Sequence, residues 1–459
     1  MNGMVSLIGA GPGNVELITV LGQRRLREAD VILYDRLIDP AIMASSDAEK
    51  INVGKLPHHH QYSQYEINDL LVKLASEGKR VARLKAGDPY VFGRGGEEAQ
   101  YLKKHGIEVE VVPGITSAIA GLASVGIPIT HRDFASSFHI ITAHKKKDGS
   151  ELDWQNIANS EGTLVFLMGM EQLANISTNL IGNGRSPQTP VAVIQWATQW
   201  RQKSIVSDLA NVVTDVNNAG LGSPALITVG DVVKVADELM PQLPLQGKRI
   251  MIPYSKRKRM FNKLTDAGAS LTFFKRPEAK QVSFELPDIN EELNLDFDNP
   301  TSATLFLQHL FNAGVDIRQT SNWHFVTNGP KTRQVFEDSG ILPVTEPVLG
   351  IKILNYREYV IGHHQSEVQN TIVTDERHNS NIQVDLDEVD SIIFPSTNVV
   401  EEISAGVDAA SRKSLVIFAL GQKVADRATA LGWENVVELI PNIETLVSQM
   451  ISNGGYVHD

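Results

Sequence analysis

Val81-Ala-Arg-Leu-Lys-Ala-Gly-Asp-Pro-Tyr-Val-Phe-Gly-Arg-Gly-Gly-Glu-Glu98 is the most informative run in the chain. A short β-prone segment ends at Lys85 and breaks into Ala86-Gly-Asp-Pro89. An apolar triplet follows, then a second glycine-rich turn carrying Arg94, then a glutamate-rich helix start. A strand that stops at bare backbone beside one carboxylate is built to meet a ligand at its end.

Working outward, short apolar runs alternate with helical patterns over the first 240 or so residues. The runs Met4–Ile8, Val31–Tyr34, Val81–Leu84, Val109–Val112, Phe138–Thr142, Thr163–Leu167, Val191–Trp196 and Ala225–Val229 predict strands. Glu16–Glu28 and Ile67–Glu77 read as helices. The interleaving predicts an α/β architecture with mostly parallel sheets. Polar Lys145–Gly149 is a candidate divider between two lobes, about 1–135 and 136–242. A second linker lies near Met240–Gly247, and a fresh strand pattern opens at Arg249–Pro253, giving a second unit over 248–459. That unit carries an internal echo. Gly329 and Gly421 are each followed two residues later by Lys and eleven later by Gly340 and Gly432, the spacing of two similar lobes. The polar stretch Gly362–Glu388 is expected to be loops.

Composition narrows the function. The chain has 459 residues, 42% of them hydrophobic and 21% charged, enough for several buried cores. A net charge of -12 argues against a general nucleic-acid or anionic-membrane binder. With no cysteine, thiol nucleophiles, disulfides and thiolate metal sites are excluded. No apolar run approaches the roughly 18–20 residues that span a bilayer, and no leader pattern opens the chain, so a cytoplasmic location is expected.

The turn Gly9-Ala-Gly-Pro-Gly13 after the first strand invites a dinucleotide reading. The required G-x-G-x-x-G fails at Asn14, and Pro12 removes an N–H from the loop, although Asp30 and Asp35 lie near ribose-binding distance. His58-His-His60 invites a metal. Three consecutive residues do not easily converge on one ion, and no acidic or cysteine partner follows at ligand spacing.

Seven elements in register carry a family resemblance. They are Gly9–Gly13, Tyr34-Asp-Arg-Leu37, Val53-Gly-Lys55, Arg83–Glu98, Val112-Pro-Gly-Ile-Thr-Ser117, Gly126–Asp133 and Leu164–Gly169. Over about the first 235 residues the chain resembles uroporphyrinogen-III C-methyltransferases. That resemblance implies a two-lobed S-adenosyl-L-methionine-dependent enzyme, usually a homodimer. Such an enzyme methylates uroporphyrinogen III at C2 and then C7, releasing S-adenosyl-L-homocysteine and precorrin-2 for sirohaem or cobalamin.

On the same resemblance Asp35 is the proton acceptor; its strand-end position suits that role, while pairing with Arg36 or helix capping is the plain alternative. Lys55 matches the proton donor, and could equally hold a substrate carboxylate. Pro12, Ala86, Gly87, Asp88, Val91, Thr116, Ser117, Met168, Ala197 and Ala225 match the cofactor site. Helix capping by Thr116 and core packing by Met168 remain the structural alternatives. His60, with Gln64, aligns with polar positions of the family's loop. Arg94 and Arg132 suit acetate or propionate groups by their fork geometry, with surface salt bridges as the rival. Ala86 and Ala197 depart from the glycines usual there, each adding a methyl where backbone approaches ligand.

From about residue 248 the chain resembles uroporphyrinogen-III synthases, less tightly. Gly329-Pro-Lys-Thr332, Ile392–Asn398 and Gly421–Gly432 carry the likeness. It implies two lobes, a two-stranded linker and cofactor-free cyclisation of hydroxymethylbilane to uroporphyrinogen III. Phe394-Pro-Ser396, Val424 and the Asp296–Thr304 region depart from the pattern, leaving a non-catalytic binding or assembly unit as the other reading. The basic run Lys256–Arg259 suits an octacarboxylate, or a solvated helix face.

Overall fold

The computed structural model describes residues 3–54, 62–143, 151–255, 258–274, 280–361, 370–378, 386 and 388–453. Strands β1 (Met4–Gly9), β2 (Val31–Tyr34), β3 (Glu49–Asn52), β4 (Val81–Lys85) and β5 (Glu108–Val112) form a parallel sheet ordered β3-β2-β4-β1-β5. Parallel neighbours need crossovers. These are supplied chiefly by helices α1 (Val20–Glu28), α2 (Gln64–Ser76) and α3 (Gly95–Lys104). Side chains alternate between two buried faces: Val5, Leu7, Val31, Leu33 and Val81 pack with α2 and α3, while Ile8, Ile32, Ala82 and Leu84 meet Leu26 of α1 and Met43. The chain runs from β1 past the later place of β4 to β2. The sheet therefore has a topological switch between β4 and β1, whose carboxyl ends open a crevice.

Helix α4 (Ser117–Ala123) leads away from this sheet and buries Ala118 and Leu122 in the next core. Strands β6 (Phe138–Thr142), β7 (Thr163–Leu167), β8 (Pro190–Gln195), β9 (Lys203–Asp208) and β10 (Ala225–Val229) form the second sheet, ordered β6-β7-β10-β8-β9. Only β6 and β7 pair in parallel; β10 runs antiparallel to both its neighbours, and β8–β9 is an antiparallel pair. The expectation of mostly parallel sheets holds for the first sheet and fails in this one. Residues 196–202 between β8 and β9 are too few for a crossover helix, and apolar runs alone carry no direction. β3 and β9 escaped prediction for another reason. Both are edge strands bearing charge, as edges that avoid further pairing do.

The rest of the chain builds two more sheets from β11 (Arg249–Pro253), β12 (Ser270–Phe274), β13 (Lys280–Gln281), β14 (Leu293–Phe297), β15 (Trp323–Val326), β16 (Ile353–Ile361), β17 (Thr371–His378), β18 (Ser391–Phe394), β19 (Val416–Leu420) and β20 (Asn435–Leu439). The third sheet, β12-β11-β18-β19-β20, is parallel; the fourth, β13-β17-β16-β14-β15, is parallel except for β13. The chain starts the third sheet, completes the fourth, and returns. The echo read from sequence is one strand–glycine–helix–glycine unit per sheet. β15 leads through Gly329 into helix Pro330–Glu337, and β19 through Gly421 into helix Gln422–Ala430; Gly340 and Gly432 both take positive φ beyond them.

The loop expectation for Gly362–Glu388 is corrected at β17. Its β-branched start, Thr371-Ile-Val-Thr374, pairs with β16 and buries Thr374 completely. The remainder of that stretch is only partly described. The Lys145–Gly149 divider and Lys256-Arg257 lie outside the described residues. So do 275–279 and 379–385.

Candidate active site

The carboxyl ends of the first sheet face the edge of the second where β7 and β8 end and β10 begins. Between them lies a cleft of about 430 Å³. Pro12, Asp35, Ala86, Gly87, Asp88, Val91, Arg94, Thr116, Ser117, Met168, Ala197 and Ala225 all line it. Residues read from positions more than 200 apart thus share one cavity. Lys55 and His60, with the rest of the histidine triplet, lie outside the described residues. Arg132 sits exposed in the turn closed by His131 and Ala135 and is not among the residues lining the cleft.

Three glycine turns meet backbone to backbone at one end. Gly11 and Gly87 exchange N–H···O bonds of 3.2 and 2.8 Å. A Cβ on Gly114 would stand 2.2 Å from the Gly87 carbonyl, and one on Gly9 2.5 Å from the Gly114 Cα. Gly87 itself has φ +66°. The first glycine turn is therefore a packing requirement between strand ends, and the dinucleotide pattern is not needed to explain it. The Asp88 carboxylate ties these turns together, accepting from the Tyr90 and Gly114 amides at 2.8 and 2.9 Å. Thr116 caps α4, its Oγ1 accepting from the Ala118 amide at 3.3 Å. The capping alternative for Thr116 and its place in the cleft lining thus hold together.

The floor is charged. Asp35 follows β2 directly, and neither predicted alternative describes it. Arg83 of the neighbouring β4 donates Nη2 to both its oxygens, at 2.8 and 3.0 Å. Lys85 lies two residues on and donates to Glu98 Oε1 at 2.8 Å. Gln64, placed at the start of α2 by a Ser63–Glu66 capping box, donates to the same oxygen at 3.0 Å. Burial first, and then the Arg83 charge, push the Lys85 ammonium below the usual lysine range. Arg94 sits at φ +60° and pairs with exposed Glu97 at 2.6 Å, so the salt-bridge alternative for it is realised at the cleft rim.

Arg83, Lys85 and Glu98 belong to this floor although sequence reading assigned them no role. The available signal was two cations on one face of a strand whose neighbours are all apolar. A second signal lay in the backbone. Among the described residues seven non-glycines have positive φ, and Phe92, Arg94, Met168 and Trp196 of these line the cleft. Such conformations cost about 1–3 kcal/mol each and gather where a loop is shaped for a ligand. Neither Ala86 nor Ala197 takes positive φ. The Ala86 side is exposed in the cleft, and the Ala197 methyl lies 2.9 Å from where a Gly121 Cβ would stand.

The profile of the Tetrapyrrole (Corrin/Porphyrin) Methylases matches residues 4–213. The chain belongs to this family of methyltransferases. A uroporphyrinogen-III C-methyltransferase of Bacillus subtilis is 43% identical over 333 residues, 69% of this chain and 68% of that protein. The porphyrin biosynthesis protein HemD of Ruminiclostridium josui is 31% identical across 99% of both chains. An S-adenosyl-L-methionine-dependent uroporphyrinogen III methyltransferase of Methanosarcina barkeri is 49% identical over 52% of this chain and 96% of its own. The solved uroporphyrin-III C-methyl transferase of Thermus thermophilus with S-adenyl homocysteine is 41% identical and covers 51% of this chain and 100% of its own, with a TM-score of 0.45.

Proposed function

We propose that the chain methylates uroporphyrinogen III at C2 and then C7, giving precorrin-2, with S-adenosyl-L-methionine as donor. The observation that carries this reading is the single cleft that joins a bare-backbone cradle to a carboxylate held at a strand end. When bound, the donor supplies an electrophilic methyl group on a sulfonium sulfur. Pro12, Ala86, Gly87, Asp88, Val91, Thr116 and Ser117 would hold it from the first sheet, and Met168, Ala197 and Ala225 from the second. Gly11 and Gly87 line that wall without side chains, which fits a ligand lying directly on backbone.

Asp35 accepts the pyrrole N–H proton that becomes acidic as the ring carbon attacks. Arg83 fixes both carboxylate oxygens for that purpose. Arg94 and Arg132 anchor substrate carboxylates; both are exposed, and Arg94 would exchange Glu97 for one. Lys55 and His60 are assigned on the resemblance alone. Homodimerisation rests on the same ground, and among the described residues no helix is long and apolar enough to cross a membrane.

Asp35→Ala tests the assignment. It should bind S-adenosylhomocysteine as the parent does by calorimetry while losing turnover by about 10²–10⁴-fold. Parent-like turnover would remove Asp35 from the mechanism.

For the second half we propose cyclisation of hydroxymethylbilane to uroporphyrinogen III. Its support is the relative named for porphyrin biosynthesis that runs the whole length of the chain. The reaction would make the substrate of the first half, so one chain would perform consecutive steps. The non-catalytic alternative keeps the substitutions at Pro395 and Val424 as its argument.

A further inference from the structure

β4 places Arg83 and Lys85 two residues apart, so both leave the same face of a central strand. Val81, on that face, packs with Ile67, Leu71, Ala99 and Leu102, which shows that α2 and α3 cover it. The two cations are almost fully buried, at 2% and 5% side-chain exposure. Buried cations need compensation, and in the first turn of α3 Glu98 gives it at 0% exposure. Its Oε1 takes the Lys85 ammonium and the Gln64 amide, and stands 3.6 Å from Arg83 Nε. The other end of the same guanidinium holds Asp35. One arginine thus spans from a sealed carboxylate to the carboxylate in the cleft. Arg83 Nε and Glu98 Oε2 are both buried without a hydrogen-bond partner, so Glu98 draws on Arg83 without binding it fully.

We propose that Glu98 is a positioning residue for the methyl transfer: it shares the Arg83 charge with Asp35 and so keeps Asp35 able to take a proton. The proposal rests on the reading of Asp35 as proton acceptor. Arg83 cannot shed its proton, so its charge is balanced by whichever carboxylates face it. With Glu98 neutral, Asp35 alone would balance Arg83, its ionised form would be favoured, and it would be a weaker base. With Lys85 removed, Glu98 would turn wholly to Arg83 and Asp35 would be a stronger one. The groups facing this pair are Arg83 and Lys85 from β4, Asp35 from the end of β2, Arg94 from the loop before α3, and the neutral Gln64 amide from α2.

The test compares the full-length parent with Glu98→Gln, Glu98→Asp and Lys85→Met. The pH profile of kcat/KM is measured anaerobically with uroporphyrinogen III and S-adenosylmethionine. In Glu98→Gln the acidic limb should move to lower pH by about half a unit or more, with kcat down about tenfold and the donor KM within about twofold. Lys85→Met should move the limb the other way, and Glu98→Asp should restore part of the parent profile. Acidic limbs that stay in place in both Glu98→Gln and Lys85→Met would overturn the proposal. Should Glu98→Gln not fold, the direction in Lys85→Met decides. Asp35→Ala separates the two claims. Parent-like turnover there means the reading of Asp35 has failed, whereas an inactive Asp35→Ala with unmoved limbs in the other variants overturns the role of Glu98 alone.

Discussion

Ala86 shows how much a single methyl can decide at this site. It stands at the end of β4, exposed in the cleft, with a backbone that an L side chain adopts without strain. Its only cost is the space it takes beside a bound donor. Ala86→Gly should therefore tighten S-adenosylhomocysteine binding by no more than about fivefold, the scale of one methyl contact, as read by titration calorimetry. Weaker binding would mean that the methyl packs on the ligand. Gly114 is the opposite case. A Cβ there meets the Gly87 carbonyl at 2.2 Å, so Gly114→Ala must spread the cradle; donor binding should fall more than about tenfold while the fold survives. At this scale the sequence pointed to residues that the fold brings to one cleft, such as Asp35 after a strand and Asp88 between glycine and proline. It gave no warning of Glu98, whose meaning comes from two cations on the preceding strand and a helix that seals them in.

Among elements of the first two sheets, apolar runs located the strands within a residue or two and missed only the charged edges β3 and β9. Direction was not legible either, because a strand's alternation is the same read up or down. The second sheet is antiparallel where chain connectivity, not side-chain pattern, decides. The seam between α1 and β5 offers a check on how elements are tied. Arg25 of α1 holds Glu110 of β5 with bonds of 2.6 and 2.9 Å, and those hydrogen bonds keep the Glu110 carboxyl below the usual glutamate range. A carboxyl with a depressed folded pKa adds stability above its unfolded pKa, and that stability is lost as pH falls through the folded value. Glu110→Gln should thus lower Tm at pH 7, and the difference from the parent should shrink below about pH 4. A Tm gap that stays constant down to pH 3 would show that the pair contributes through packing instead.

At the scale of the molecule, four sheets carry two candidate chemistries in one chain. The halves touch where Arg201, lying over Trp196 and Trp200, pairs with Glu388, which also faces Arg249 at 3.5 Å. Trp196 lines the methyl-transfer cleft, so this contact reaches its wall. The internal echo was legible from glycine spacing, one strand–glycine–helix–glycine unit in each of the last two sheets. What the second half does was not, because its departures fall on the very motifs that carry the likeness. Full-length protein given hydroxymethylbilane without methyl donor should form uroporphyrinogen III, and Asp35→Ala should do so equally well. Uroporphyrinogen I as the only product would leave the second half a binding or assembly unit.

The most direct measurement for the first half uses the full chain under anaerobic conditions, with uroporphyrinogen III and methyl-labelled S-adenosylmethionine. Two labels per macrocycle, at C2 and C7, with two S-adenosylhomocysteines released, is the predicted result. A macrocycle recovered without label from protein that binds the donor would contradict it.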